Sequence, residues 1–169
     1  MATQKQREAD IDATKRSRTA AAGERNLKAL LKDVKPELRD GVFVFCTIAN
    51  KTEIPATIGP LLMFREREGT ILVVRREEAE TAGLHYQFAS RLITLRVHTS
   101  LDAVGFLAAV TARLAEAGIS VNAVSAFYHD HLFVPDHRVE EAFGLLQGMS
   151  VPATGSTLLA ERDDDGDRS

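Results

Sequence analysis

Tyr128-His-Asp-His131 is a dense group of titratable side chains in this chain. Two histidines around a carboxylate are the donor types of a transition-metal site or an acid–base pair, and His98 would add a third imidazole. Strand geometry works against that chemistry. On an extended backbone His129 and His131 share a face while Asp130 points away. No Glu-x-x-His or Cys-x-x-Cys pattern accompanies them. Asp130 therefore reads as a turn residue whose carboxylate holds backbone amides. Cys46 sits inside an apolar run and reads as a small buried hydrophobe rather than a nucleophile. There is no nucleophile elbow, phosphate-binding glycine loop or dinucleotide fingerprint. No catalytic residue, metal site or cofactor is assigned, and the chain is expected not to be an enzyme. A metal-dependent enzyme using His98, His129 and His131 is the weakest alternative.

The segment His98-Thr-Ser-Leu-Asp-Ala-Val-Gly105 offers binding chemistry instead. It joins a strand pattern to a helix pattern. Free amides and the dipole at a helix start attract a carboxylate. Thr99 and Ser100 carry hydroxyl donors, and Gly105 allows close backbone approach. Asp102 is a possible ammonium partner, although an acidic residue in a first helical turn is ordinary dipole stabilisation. An unliganded capped helix explains Ser100 equally well.

The elements around this loop follow from periodicity. Ile93, Leu95 and Val97 alternate with Leu92, Thr94 and Arg96, as in a strand with one fully apolar face. Ser100 is the expected N-cap of a helix whose apolar side is Val104, Leu107, Ala108, Thr111, Leu114 and Ala115. Gly118 marks its left-handed end. Ile119 to Phe127 and His131 to Val134 read as strands, and Asp136 caps a helix with Val139, Ala142, Phe143 and Leu146 inward. Upstream, Leu27, Leu30, Leu31 and Val34 have helical spacing up to Pro36. Val42 to Ile48 is a buried strand, Leu61 to Val74 a hairpin turning at Gly69, and Arg76 to Ala82 a short helix stopped by Gly83. The second half has the order β-α-β-β-α, which lacks one strand of a ferredoxin-like unit. Val151 to Ala160 is interrupted by Pro152 and Gly155, so that strand comes from the N-terminal half or is missing.

Composition bounds the partners. The chain has 169 residues, 44% of them apolar, and a net charge of -3. That is enough apolar material for a core, and too little basic charge to hold nucleic acid. One cysteine and no zinc pattern are consistent with a cytoplasmic location. No apolar run approaches the roughly 20 residues of a membrane span, nor does the N-terminus resemble a secretory signal. Residues 1–25 and 149–169 are polar and charged and are expected to be mostly disordered.

Thr99 to Gly105, Leu114-Ala-Glu-Ala-Gly-Ile-Ser120 and Tyr128 to Pro135 resemble small bacterial proteins with two ACT domains in tandem. Gly41 to Cys46 and Leu62 to Gly69 are similar to the same family. The resemblance implies an α+β fold of two ferredoxin-like βαββαβ-type units, over 26–86 and 87–148, with antiparallel sheets packed against helices. It also implies a regulatory protein that binds a small amino acid or related metabolite at Thr99, Ser100, Leu101, Asp102, Ala103, Val104 and Gly105, with Ser120 and Asn122 contacting the ligand amine. A homodimer is expected. The alternative from a different class is a purely structural, protein-interaction module.

Overall fold

The computed structural model describes residues 26–97 and 103–150. The expected tails fall outside these residues, apart from Met149 and Ser150 at the end of the last helix. Helix α1 (Leu27–Asp33) starts at Asn26, whose side chain accepts hydrogen bonds from the Lys28 and Ala29 amides. Strands β1 (Pro36–Leu38), β2 (Phe43–Ile48), β3 (Leu62–Arg65) and β4 (Thr70–Arg75) lead into α2 (Arg76–Thr81). Strand β5 (Tyr86–Leu95), α3 (Phe106–Glu116), β6 (Asn122–Ser125) and β7 (Asp130–Pro135) follow. A 3-10 turn at Asp136–Arg138 then opens α4 (Val139–Met149).

The described strands form one antiparallel sheet in the order β3-β4-β2-β5-β7-β6, with β1 also beside β5. Strand β5 has 10 residues and serves both halves. Its beginning pairs with β2, with Phe43 opposite Ser90 and Cys46 opposite Tyr86. Its end pairs with β7 on one edge and with β1 on the other, Pro36 lying opposite Leu95 and Leu38 opposite Ile93. The strand missing from the C-terminal ferredoxin pattern is thus β1, supplied from the N-terminal end of the described chain. The register shifts between Phe43 and Phe45, and Phe88 has a positive φ of 54°. At this irregularity the buried Ser90 hydroxyl donates to the Phe43 carbonyl over 2.8 Å. In the N-terminal unit the connection from β2 to β3 is a loop punctuated by Pro55 and Pro60, and it buries Ile58. Proline removes the amide that a helical crossover would need.

Alternation along the strands sorts side chains onto two faces. The helix-bearing face carries Val44, Cys46, Leu72 and Val74 under α2. It continues as Ile93, Leu95, Leu132 and Val134 under α1, α3 and α4, where Leu30, Phe106, Val110, Leu114 and Leu146 are fully or almost fully buried. No helix among the described residues lies on the opposite face. There Phe43, Val73, Leu92 and Phe133 are nonetheless buried. Edge-to-face ring contacts knit them together, with Phe45 and Phe133 centroids 5.3 Å apart and Phe43 and Phe133 6.2 Å apart. A curled sheet closes this face on itself.

Three local expectations are corrected. Helix α3 begins at Phe106 with Gly105 at its N-cap, so Ser100 is not the cap. Gly105 has φ +88°, which lies outside helical backbone and forces the start downstream. The core face of α3 is Phe106, Val110 and Leu114, while Val104 is 83% exposed. Phe106 is the bulkiest apolar side chain of this stretch, and burying it rotates the helix away from the Val104 stripe. Strand β6 is shorter than Ile119 to Phe127, and β7 already includes Asp130.

Because α1 packs on the C-terminal half, a cavity made there should be felt by the whole sheet. Leu30→Ala is expected to cost about 2–5 kcal/mol in urea unfolding, whereas Lys32→Ala on the exposed side should stay within about 0.5 kcal/mol.

Candidate functional site

The structure separates the sequence candidates into two groups. Thr99, Ser100, Leu101 and Asp102 lie outside the described residues, as does His98. Ala103, Val104 and Gly105 are described and lead directly into α3. Ser120 and Asn122 lie at the other end of that helix. Its 11 residues span about 16 Å. Asn122 pairs with Phe133, which pairs with Leu92, three steps back from the end of β5. Asn122 is thereby placed on the helix-free face, together with Phe133. The loop after Leu95 and the pair Ser120 and Asn122 are not brought together within one chain.

A different residue occupies the loop end of the sheet. Leu95, the last residue of β5, lies opposite Asp130, and Asp130 lies opposite Ser125. Asp130 shares the helix-bearing face with Leu132 and Val134. It is only 2% exposed. Its Oδ1 accepts a hydrogen bond from the Ser125 hydroxyl over 2.5 Å. Its Oδ2 is buried and has no hydrogen-bond partner among the described residues. Asp130 is therefore not the turn residue inferred from sequence. The turn is closed one residue earlier, where the Ala126 amide donates to the His129 carbonyl over 3.1 Å. A buried carboxylate oxygen without a donor is costly, by about 1–3 kcal/mol or more for a charged group. Such a group is a natural receptor for an ammonium.

His131 lies on the opposite face from Asp130, as alternation requires. Its Nδ1 is 3.0 Å from the Thr94 hydroxyl. Burial lowers its pKa first, with His129 and Arg39 adding to the effect and Asp130 opposing it. The divergence of Asp130 and His131 keeps them from one metal ion. Among the described residues no group of three or more His, Cys, Asp or Glu side chains is placed to hold one. Cys46 is buried on the helix-bearing side of β2, and burial pushes its thiol pKa up. No helix among the described residues is long and apolar enough to cross a membrane.

Comparison with known proteins agrees with this architecture. Residues 22–91 match one ACT-domain family model and residues 87–148 match another. The chain belongs to the ACT-domain family and carries two such domains in tandem. A solved protein of unknown function from Vibrio cholerae, described as a possible transport protein, is 40% identical. That alignment covers 74% of this chain and 96% of the other, with a TM-score of 0.68. A protein from Agobacterium tumefaciens is 20% identical over 69% of this chain and 89% of its own, with a TM-score of 0.61. The ligand-free regulatory subunit of aspartate kinase from Thermus thermophilus shares the fold, at 11% identity, 70% and 98% coverage and a TM-score of 0.52. No curated protein matches the chain in sequence. ACT domains are regulatory rather than catalytic modules.

The lowered pKa of His131 has a signed consequence. The native state favours the neutral ring, so below the unfolded value of about 6.5 the unfolded chain binds more protons. The corresponding stability is complete above that pH and is lost as pH falls through it towards the folded value. Thermal unfolding between about pH 7.5 and about pH 5.5 should show a smaller drop in midpoint for His131→Gln than for the native protein.

Proposed function

We propose that this chain is a non-enzymatic, cytoplasmic regulatory protein that senses a small amino acid or related metabolite at the loop between β5 and α3. The observation that supports this best is the buried, half-satisfied carboxylate of Asp130 at the same end of the sheet as that loop. The ligand carboxylate would meet the Thr99 to Gly105 backbone and the Ser100 hydroxyl at the start of α3. The ligand ammonium would meet Asp130 Oδ2. Ser120 and Asn122 remain outside this arrangement because they sit at the far end of α3. The division into units over 26–86 and 87–148 is part of the same proposal, with α1 and β1 crossing onto the second unit. Ligand binding would favour one arrangement of the units by a coupling of about 1–3 kcal/mol.

Calorimetric titration of the common amino acids at millimolar concentration tests the reading. At least one should bind saturably. Asp130→Asn keeps the size of the side chain but removes its charge. It should weaken that ligand about 10- to 100-fold while leaving the free protein as stable or more stable, as expected where a buried charge is kept for binding. Absence of heat with every amino acid would count against the proposal.

Exposed apolar residues on edge strand β3 favour a homodimer as well. Met63 is 48% and Phe64 61% exposed, on a strand whose outer side lacks a partner strand among the described residues. Unpaired edges of this kind invite strand addition. Sedimentation should show a dimer that Phe64→Glu shifts towards monomer. A native protein that sediments as a monomer at all concentrations would refute the dimer.

A further inference from the structure

The helix-free face carries a partly open hollow of about 160 Å³ that the amino-acid reading leaves unused. Leu92 and Phe133, neighbours across β5 and β7, are among its buried apolar lining. Its walls come from opposite edges of the curled sheet, Leu61 and Leu62 on one side and Val124 and Ala126 on the other. Two polar side chains complete it, Arg39 and His131. Arg39 follows β1, and its backbone amide donates to the Leu92 carbonyl over 2.9 Å, which fixes the residue at this site. Its guanidinium makes no ion pair with any described residue. None of the lining residues is acidic.

Those features select a ligand chemistry. A cavity of about 150 Å³ lined by Leu and Phe is large enough for a benzene-sized group. A guanidinium at such a hollow matches a carboxylate in fork geometry. An ammonium would find no carboxylate here and would be repelled by Arg39. His131, kept towards the neutral ring by burial and engaged with Thr94, offers hydrogen bonding rather than a second charge. We propose that this cavity binds a small apolar monocarboxylate without an ammonium group, such as a branched short-chain acid or its 2-oxo analogue, with its carboxylate on Arg39 and its hydrocarbon body against Leu92 and Phe133. The site is on the opposite sheet face from Asp130, so it is independent of the amino-acid site. It makes the protein responsive to two ligand classes that differ by an ammonium.

Titration of the full chain with 3-methylbutanoate and 4-methyl-2-oxopentanoate, followed by calorimetry and ligand-observed NMR, tests this. Saturable 1:1 binding is expected for the acids, with the neutral 3-methylbutanamide at least tenfold weaker. Arg39→Gln should weaken the acids about tenfold or more, as loss of a charge-assisted pair does. Ala126→Phe fills the cavity from an exposed turn and should abolish their binding with little change in thermal midpoint. Asp130→Asn should leave the acids unaffected, which separates this site from the amino-acid site. No saturable binding by either acid to the native protein would overturn the proposal. So would equal binding by native protein, Arg39→Gln and Ala126→Phe, or loss of acid binding on Asp130→Asn.

Discussion

The shared strand β5 is the constraint from which the rest of the molecule follows. One strand cannot belong to two separate sheets without joining them, so the paired ACT units share one continuous ladder. The cost falls at Phe43 to Phe45, where β2 and β5 lose register. Ser90 offsets it, since its hydroxyl takes a carbonyl that the irregular ladder would leave less well satisfied. β1 and β2 lie in succession along the same edge of β5. The strand that completes the second unit therefore lies before the first. This explains why α1, at the start of the described chain, buries Leu30 in the core of the C-terminal half.

Joining the units in this way produces two chemically different faces. Helices cover one of them, and its core is aliphatic. The other is covered by no helix among the described residues, and its burial comes from curvature and from phenylalanine rings contacting edge to face. Curvature brings Leu61, beside one sheet edge, near Val124 on the other, and leaves the hollow between them. Rigid rings fill area at low entropic cost but leave gaps that aliphatic side chains would close. The two faces also differ in charge. A carboxylate is buried on the helix-bearing face, and the Arg39 guanidinium, with no ion pair among the described residues, lies by the bare one.

Much of the fold is legible in the sequence, for identifiable reasons. Thr70 to Val74 and His131 to Val134 hold short continuous apolar runs of strand length, as a strand buried on both faces requires, and Val139, Ala142 and Leu146 have one helical phase. Helix α3 is ambiguous because its alanine-rich stretch supports two stripes; only packing decides that Phe106 goes in. β1 has 3 residues, too few for any period to register. Asp130 is misleading because it follows Tyr128-His129, where a turn is reasonable and the strand start is invisible. Arg39, Leu61, Val124 and His131 are far apart in sequence, and no pattern links them before the sheet curls. Ala103 to Gly105, read from the sequence as the first helical turn after a Ser100 cap, instead precede the helix, because the positive φ of Gly105 delays its start. Ser120 and Asn122 do not join them, because they follow the far end of the 11-residue helix α3, about 16 Å from its start.

Charge compensation gives the carboxylate its meaning. Two buried side-chain atoms lack hydrogen-bond partners among the described residues, Arg91 Nε and Asp130 Oδ2. They look like natural mates but cannot be. Arg91 lies opposite Val134 and Asp130 opposite Leu95, four steps apart on the ladder, or about 13 Å. At that range their attraction is a small part of what either group loses on burial. Arg91 has another remedy, since its Nη1 approaches Asp136 Oδ1 at 3.9 Å. Among the described residues Asp130 has only the Ser125 hydroxyl, which supplies one hydrogen bond and no charge. An alanine or valine in its place would continue the apolar pattern of Leu132 and Val134 without that penalty. Asp130 thus stands at the loop end of β5 as a group that burial alone would not favour, and the proposed ammonium contact rests on that.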